Sequence, residues 1–367
     1  MTLTRITAVA GIAAVGLLAA GCGSNNNPPA ATPTASGSAA SASGASGCAT
    51  GSLSGQGSTF QKPMEQQWAA QFAQQCSGAQ VTYTGTGSGA GITQFGDGTV
   101  DFAGSDVTMK ASEQAKANTR CGGSSLTIPI TAGGVAVIYH LTGVSSLQLS
   151  AATLAGIFDG TIKAWNDAAI AADNPGVTLP ATPIAVYHRS DGSGTTSVFT
   201  SFLVADAPTW KLGTGKTVVG LAGQGANGSD GVTAGVKQTN GGITYAEISY
   251  AEQDNLPTAK VRGTAGSYAG ISSATVSEAI GSGFTVTGTG NDLAGAIDFA
   301  KVSGYPVSTV SYAIVCQHYG SAATATLVKD YLTYAVTTGQ AQATQLGFAP
   351  LPSALVTRDQ AALATIS

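Results

Sequence analysis

The chain has 367 residues, enough for about two domains of roughly 150 residues each. Only 9% of its residues are charged and 50 are glycine, whereas typical globular proteins have about 25% charged residues and about 7% glycine. The 43% hydrophobic share supports a folded core and excludes a largely disordered chain. The net charge of −4 gives no basis for nucleic-acid binding, and any bound anion must be recognised by local hydrogen-bond donors.

The N-terminal segment has the pattern of an export signal. Residues 1–21 contain one positive charge, at Arg5, followed by an apolar run that is too short to span a bilayer comfortably. The run ends in "LLAAGC", which resembles the lipobox of bacterial lipoproteins, although Ala19 stands where that motif usually has leucine. Cys22 would then be the lipidated mature N-terminus, and an ordinary cleaved signal peptide is the alternative. Residues 22–47, small and uncharged, predict a flexible tether behind the lipid.

The first half of the folded region predicts helices and strands separated by glycine-rich turns. Met64, Trp68 and Phe72 are spaced four apart and therefore share one face of a helix, with Ser58 or Thr59 as its N-cap. The predicted elements are a helix at 62–75, a strand at 81–87, a short helix at 91–95, a strand at 100–106 and a pair of strands at 126–141.

The second half continues the same alternation. The predicted elements are a helix at 150–158 capped by Ser150, a strand at 183–189, a helix at 195–203, a strand at 242–251, a helix at 292–300, a strand at 309–317 and a helix at 322–338. Strands that alternate with helices along most of a chain predict an α/β fold with largely parallel sheets.

Four cysteines remain if Cys22 carries lipid, and an even number in an exported protein predicts two disulfides. Three pairings are possible. We expect Cys76–Cys121, because both residues follow predicted helices of the N-terminal region, which leaves Cys48 with Cys316. The cysteines show no CxxC spacing, so a metal or redox role is not expected.

Four short polar segments lie where a predicted strand runs into a helix. They are "GQGSTF" (55–60), "GTGSGAG" (85–91), "GSD" (104–106) and "RSDGSGTT" (189–196). Ligands of open α/β sheets bind at the carboxyl ends of strands, where the free N–H groups of helix N-termini favour an anion. Glycine allows close backbone approach, and serine and threonine hydroxyls add donors. The four segments together therefore predict an anion-binding site.

The signatures of common enzymes and nucleotide-binding proteins do not fit the sequence. "GTGSGAG" is neither a G-x-G-x-x-G fingerprint nor a P-loop, since it lacks the P-loop lysine, and the chain contains no G-x-S-x-G nucleophile elbow. His140, His188 and His318 are far apart and have no ligand spacing. We therefore expect no catalytic residues, no metal site and no cofactor.

The four segments, together with "GTIKAWNDAAIAADNPG" (160–176) and "GSDGVTAGVKQTNGGITYAEISYA" (228–251), resemble the phosphate-binding proteins of bacterial ABC phosphate transporters, the PstS family. The resemblance runs from about Gly55 to the C-terminus and extends to lipid-anchored members. It implies an α/β, two-lobed, periplasmic-binding-protein-like fold of type II, with the ligand in the cleft between the lobes and two hinge crossovers. Lobe I would comprise 48–131 plus 307–367, and lobe II would comprise 132–306.

The resemblance also implies ligand roles for individual residues. The implied donors and their helpers are Thr59, the backbone N–H of Phe60, Ser88, Ser193, Gly194 and Thr195, with Arg189 as the cationic clamp and Asp191 as its ion-pair partner. Asp106 is implied as the only acceptor, with a helix N-cap as its alternative role. No side-chain role is expected for Ser58, which is alanine in some family members.

A lone acceptor would make the site selective. Phosphate keeps at least one proton at neutral pH and sulfate keeps none, so the carboxylate of Asp106 can accept a hydrogen bond only from phosphate. We therefore expect an extracytoplasmic, non-enzymatic binding protein. It would be held to the outer face of the cell membrane by its lipid and would deliver phosphate to the permease and ATPase subunits of an ABC transporter. A binding protein for sulfate or molybdate, a phosphatase, and an added adhesion or sensing role are the alternatives.

Overall fold

The computed structural model describes residues 48–263 and 266–367, so the predicted signal peptide, Cys22 and the tether lie outside the described residues. The strands are β1 (Gly51–Gly57), β2 (Ala79–Gly85), β3 (Phe102–Ser105), β4 (Ser125–His140), β5 (Gln148–Ser150), β6 (Ala185–Arg189), β7 (Gln224–Ala226), β8 (Gly242–Glu247), β9 (Lys260–Arg262), β10 (Phe284–Val286), β11 (Gly295–Ile297) and β12 (Ser308–Cys316).

Helices alternate with these strands over most of the fold. The α-helices are α1 (Lys62–Gln75), α2 (Ser88–Gly96), α3 (Ala111–Arg120), α4 (Ala151–Phe158), α5 (Ala168–Asp173), α6 (Gly194–Asp206), α7 (Gly228–Gln238), α8 (Ile248–Asp254), α9 (Ser273–Gly283), α10 (Ala322–Val336) and α11 (Ser353–Ala364). Short 3-10 helices lie at Phe299–Lys301, Thr338–Gln342 and Thr344–Leu346. Among the residues that the structure describes, none of the helices combines the length and apolarity needed to cross a membrane.

An eight-stranded mixed sheet forms the centre of the molecule, in the order β2-β1-β3-β12-β4-β8-β6-β7. The pairings on both flanks are parallel, as the sequence predicts, but the central pairings β3–β12, β12–β4 and β4–β8 are antiparallel. As a result, β6 and β7 run in the direction opposite to β1, β2 and β3. The expectation of largely parallel sheets is therefore correct only for the flanks.

Strand β4 joins the two flanks, because it pairs with β12 from Ser125 to Gly134 and with β8 from Val135 to His140. The prediction of a strand pair at 126–141 is wrong, since this segment is one continuous strand. Its central glycines serve packing and do not form a turn. A Cβ atom at Gly133 would lie 2.6 Å from the ring of Phe60, and one at Gly134 would lie 2.6 Å from Ile271.

Most predicted helices are confirmed, because their apolar faces are buried as the spacing requires. Met64, Trp68 and Phe72 of α1 lie in the main hydrophobic core. The hydroxyl of Ser150 caps α4 by accepting a hydrogen bond from the N–H of Thr153. The buried faces of the later helices are Val198, Phe199, Phe202 and Leu203 in α6 and Leu327, Val328, Tyr331 and Leu332 in α10.

Three local predictions are wrong. Residues 242–251 are a strand only as far as Glu247, whose side chain caps α8 by accepting from the N–H of Ser249. Residues 292–300 are not an α-helix, because they form a turn, the hairpin strand β11 and the start of a 3-10 helix. Ser58 and Thr59 do not cap α1, whose N-cap is Gln61.

Within residues 48–367 the structure describes two disulfides, but both predicted pairings are wrong: Cys48 pairs with Cys76, and Cys121 pairs with Cys316. Strand register explains the first bond. Gly51 lies opposite Ala79 in the parallel pair β1–β2, and each of the two bonded cysteines lies three residues before one of these positions. For the second bond, Cys316 lies opposite Ser125 at the end of β12, and Cys121 closes α3 just before β4.

Candidate anion-binding site

The carboxyl ends of two groups of strands face each other across the middle of β4. Through its pairing with β12, the end of β3 at Ser105 is level with Pro129 of β4. Through its pairing with β8, Val186 near the end of β6 is level with Tyr139. Strands β3 and β6 run in opposite directions. The polar segments that follow them therefore approach each other beside the part of β4 between Pro129 and Tyr139. The sheet topology therefore brings together the four segments predicted from the sequence.

Asp106, directly after β3, is a buried acceptor of hydrogen bonds from neighbouring hydroxyls. Its side chain is buried, and its Oδ1 accepts hydrogen bonds from Ser58 Oγ at 2.5 Å and Ser311 Oγ at 2.8 Å. Its Oδ2 has looser neighbours, with Thr195 Oγ1 at 3.4 Å and Ser88 Oγ at 3.5 Å. All four side chains that surround the carboxylate are therefore hydroxyl donors.

Two opposing effects set the pKa of Asp106. Burial raises the pKa and is the stronger effect, so the pKa lies above its ordinary value. Hydrogen bonds from Ser58, Ser311 and Thr195 and the charge of Arg189 stabilise the ionised form and oppose this rise. Asp106 is therefore a buried acid whose charged state depends on the donors around it.

Arg189, the last residue of β6, is held by Asp191 in a two-point ion pair. Arg189 Nε lies 2.7 Å from Asp191 Oδ1, and its NH2 atom lies 2.5 Å from Oδ2. The side chain of Arg189 is only 1% exposed, and that of Asp191 is 12% exposed. The N–H of Gly228 also donates to Asp191, at 3.0 Å. The remaining NH1 group of Arg189 lies 3.3 Å from Ser229 Oγ, so Asp191 aims the guanidinium.

Burial also acts to raise the pKa of Asp191, but here the opposing effects prevail. The hydrogen bonds and charge of Arg189, with the N–H of Gly228, hold the pKa of Asp191 below its ordinary value. Asp191 is therefore ionised at neutral pH and neutralises Arg189. The two aspartates differ in role, since Asp191 pairs with the cation and Asp106 lies among neutral donors.

The remaining predicted residues lie in the same place. Ser88 begins α2, and its Oγ accepts from the N–H of Asp106 at 3.3 Å. Gly194 begins α6 so close to these groups that a Cβ atom would lie 2.3 Å from Ser88 Oγ and 2.7 Å from Asp106 Oδ2. Thr195 follows it, and the hydroxyl of Ser193 caps the helix by accepting from Thr196 N at 3.0 Å. Gly194 is thus a position where only glycine fits.

The segment after β1 places Thr59 beside Ser229, the same serine that contacts Arg189. Thr59 Oγ1 lies 2.9 Å from Ser229 Oγ, and the Thr59 carbonyl accepts from the hydroxyl of Tyr250 at 2.6 Å. The ring of Phe60 is buried in the core against Phe348, and its N–H donates to Ser58 Oγ at 3.0 Å. The structure therefore brings every predicted site residue into one neighbourhood.

Sequence reasoning missed three residues of the site: Ser58, Ser229 and Ser311. A signal for Ser229 is present, because "GSD" at 228–230 begins α7 just after β7, as the predicted segments begin other helices. Ser58 lies within "GQGSTF", but the family resemblance implies no side-chain role at this position. Ser311 gave no signal, because it is an ordinary serine within β12 that reaches Asp106 only through the pairing of distant strands.

A cavity of about 400 Å³ borders the site beside Asp106 and Thr309. Lys110 and Lys216 line it together with apolar side chains such as Phe299 and Tyr312. The Lys216 Nζ atom lies 2.7 Å from Glu113 Oε1, so one of the two lysines is neutralised. The two lysines therefore add at most one unneutralised positive charge to this cavity, in keeping with the low net charge of the chain.

Comparison with known proteins places the chain in a family. A sequence profile described as a PBP superfamily domain matches residues 39–338. The phosphate-binding protein PstS 3 of Mycobacterium leprae is 39% identical over 367 residues, which cover 98% of each chain. The phosphate-binding protein PstS of Xylella fastidiosa is 33% identical over 320 residues, 84% of each chain.

A solved structure gives the same result. The high-affinity periplasmic phosphate-binding protein PfluDING, determined with phosphate bound at pH 8.5, is 26% identical and superposes with a TM-score of 0.68. The superposition covers 85% of the present chain and 93% of the other. The chain therefore belongs to the PstS family of phosphate-binding proteins, within the PBP superfamily. The α/β, two-lobed fold of type II expected from the sequence is confirmed.

Proposed function

We propose that this protein binds inorganic phosphate in the cleft between two lobes and delivers it to an ABC permease for import. The observation that carries the proposal is the pairing of one buried acceptor with many donors. Asp106 Oδ2 is directed toward Ser88, Gly194 and Thr195, while Arg189 supplies the cation. The names of the relatives at 37–39% identity support phosphate as the anion.

Phosphate has the chemistry that this arrangement requires. Its unprotonated oxygens would accept from Arg189, from the hydroxyls of Thr59, Ser88 and Thr195, and from N–H groups at the start of α6. Its remaining proton would be donated to Asp106 Oδ2. Sulfate would instead place an unprotonated oxygen against a buried carboxylate, at a cost of several kcal/mol in a dry site. The arrangement therefore favours phosphate over sulfate.

The proposed lobes, 48–131 plus 307–367 and 132–306, touch each other around the site. The N–H of Gly89 donates to the carbonyl of Gly192 at 2.7 Å, and Thr59 contacts Ser229. Two ion pairs flank these contacts, Lys216–Glu113 at 2.7 Å and Lys62–Asp230 at 3.1 Å. We infer that these contacts belong to a closed state, and that the lobes hinge where the chain crosses between them, within 127–133 and 306–310.

The role in transport includes an extracytoplasmic location. Cys22 in "LLAAGC" would carry the lipid that holds the protein to the outer face of the membrane, and residues 23–47 would serve as the tether. The transporter's permease and ATPase subunits are the proposed partners. The names of the related proteins support binding without catalysis.

The described side-chain contacts also favour binding over hydrolysis. The carboxylate within reach of the site hydroxyls, that of Asp106, serves as a hydrogen-bond acceptor of Ser58 and Ser311, whereas a serine or threonine nucleophile is typically activated by a histidine. The ring nitrogens of His140, His188 and His318 instead contact the Val236 carbonyl, the Arg189 carbonyl and Ser367 Oγ. The hydroxyls around Asp106 are therefore suited to donate hydrogen bonds to a bound anion.

Calorimetric titration with phosphate, arsenate and sulfate tests the proposal. The protein should bind phosphate and arsenate, which is nearly isosteric and also protonated, and should reject sulfate. Asp106→Asn should narrow the phosphate-over-sulfate ratio, because asparagine can donate to an unprotonated oxygen. Asp97→Asn, which removes an exposed carboxylate that pairs with Lys116, is the matched control. A protein that fails to bind phosphate, or an unchanged ratio in Asp106→Asn, would contradict the proposal.

A further inference from the structure

The two carboxylate oxygens of Asp106 have different surroundings. Oδ1 accepts two short hydrogen bonds, from Ser58 at 2.5 Å and from Ser311 at 2.8 Å. The nearest hydroxyls to Oδ2, those of Thr195 and Ser88, are 3.4 and 3.5 Å away. The protein thus satisfies one oxygen and leaves the other for a ligand.

The hydrogen bonds around Ser58 fix the direction of its proton. Its Oγ accepts from the N–H of Phe60 at 3.0 Å and from that of Gln61 at 3.4 Å. With both backbone donors on the oxygen, the hydroxyl proton is free to point at Asp106. Ser58 is only 1% exposed, so water does not compete for this proton.

Ser311 is a weaker anchor of the same kind. Its Oγ has one proton and three acceptors within reach, namely Asp106 Oδ1, Gln61 Oε1 at 2.8 Å and the Ser105 carbonyl at 3.2 Å. Its support of Asp106 is therefore shared with other acceptors. Ser58 has the larger part in holding the carboxylate.

We propose that Ser58, assisted by Ser311, keeps Asp106 ionised and directs its second oxygen to the ligand. Ser58 would then determine the pH range over which the site rejects sulfate. It acts through Asp106 and is a positioning residue. The inference rests on the proposed phosphate binding and goes beyond it, because it assigns the selectivity to a residue that need not touch phosphate.

The charge state of Asp106 decides which anions fit. An ionised Asp106 accepts the proton of phosphate and repels sulfate, whereas a protonated Asp106 could donate to sulfate. Burial raises the pKa of Asp106, and hydrogen bonds from Ser58 and Ser311 counteract that rise. Loss of either serine should therefore allow Asp106 to protonate closer to neutral pH.

Three other titratable side chains act on Asp106 from neighbouring elements: Arg189 of β6, Tyr83 of β2 and Tyr250 of α8. Arginine stays charged at all relevant pH values. Burial raises the pKa values of Tyr83 and Tyr250 far above neutrality, so both stay uncharged. Sulfate itself does not titrate near neutral pH, so a change in sulfate affinity would report on Asp106.

The test is sulfate binding measured by calorimetry between about pH 4.5 and 8.5 for the wild type, Ser58→Ala and Ser311→Ala. As the pH is lowered, each protein should begin to bind sulfate at a characteristic onset pH. We expect this onset pH to be higher than in the wild type by about one pH unit or more in Ser58→Ala, and by less in Ser311→Ala. Asp106→Asn should bind sulfate equally across the range. Ser54→Ala is the matched control. Ser54 lies in β1, the strand that ends just before Ser58, and its hydroxyl donates to Asp101, an aspartate outside the site.

The outcomes separate this inference from the proposed function. A wild type that binds no phosphate would overturn the function itself. Normal phosphate binding, with sulfate profiles of both serine variants superimposed on the wild type, would overturn only the role of the serines. If Ser58→Ala does not fold, as its unfolding transition would reveal, the profile of Ser311→Ala decides the question in the same way.

Discussion

Replacing Asp191 with asparagine should destabilise the protein more in the absence of phosphate than in its presence. Asparagine has nearly the same shape but no charge. The buried guanidinium of Arg189, held by contacts of 2.7 and 2.5 Å, would then lose its counter-ion. Bound phosphate would supply a new negative charge to the same guanidinium, so the variant should recover part of its stability on binding.

The size of the effect follows from the burial of the pair. Two charges about 4 Å apart attract by about 4 kcal/mol at an effective dielectric constant of about 20. Removing one partner of a buried pair costs about 3–5 kcal/mol, because the other charge stays buried. Since Gly228 N–H can still donate to the asparagine oxygen, we expect a loss of about 3 kcal/mol in the free energy of unfolding.

Urea unfolding at neutral pH and low salt, with and without saturating phosphate, measures this difference. Asp254→Asn is the matched control, since Asp254 pairs with the exposed Lys237 and should change stability little. Equal stability of Asp191→Asn and the wild type without phosphate would refute the importance of the ion pair. An equal loss with and without phosphate would refute the idea that phosphate replaces the lost charge.

Three further predictions concern the contacts around the site and the fold. Lys216→Ala removes the partly exposed ion pair with Glu113, which joins the two proposed lobes, and should speed phosphate release by roughly two- to fivefold in stopped-flow experiments. Lys237→Ala should not change the release rate. Burial raises the pKa of Glu247 to about 8. Folding therefore takes up a proton there, and stability should fall as the pH rises from about 4.5 to about 8, by up to about 1.4 kcal/mol per pH unit. In a plot of unfolding free energy against pH, Glu247→Gln should reduce the slope by up to about 1.4 kcal/mol per pH unit, while Glu65 and Asp359, whose pKa values burial raises to about 7 and about 8, account for the slope that remains. An unchanged slope would contradict the prediction. Replacing Cys121 and Cys316 by alanine should cost about 5 kcal/mol, since the bond closes a loop of 195 residues. Peptide mapping under non-reducing conditions checks the pairing, and a Cys76–Cys121 peptide would contradict it.

The predicted site residues lie together because the strand topology gathers the segments that contain them. "GSTF", "GTGSGAG", "GSD" and "RSDGSGT" each begin at the last one or two residues of a strand, and helix starts bring donors to the same place. Local chemistry was therefore sufficient to recognise them. Arg189, Asp191 and Gly194 are positions where charge pairing or close packing allows few alternatives.

The wrong structural predictions concern features that depend on pairing between strands distant in the sequence. Residues 292–300 have the composition of a helix, but Gly295–Ile297 pair with β10 as the second strand of a hairpin. Ser311 reaches Asp106 only because β12 pairs with β3. The cysteine partners follow from the registers of β1 with β2 and of β12 with β4, which local spacing does not reveal.

The Cys48–Cys76 bond also determines how the fold would carry a mechanical load. A pull that arrives through the chain before Cys48 would pass through the covalent bond into the segment between α1 and β2. Strands β1 and β2 run parallel from Gly51 opposite Ala79 to Gly57 opposite Gly85, so both would be pulled from the same end. Because β1 and β2 would be loaded at the same end, the force would not separate them by breaking their hydrogen bonds one after another. The bond would therefore divide a load applied before Cys48 between β1 and β2.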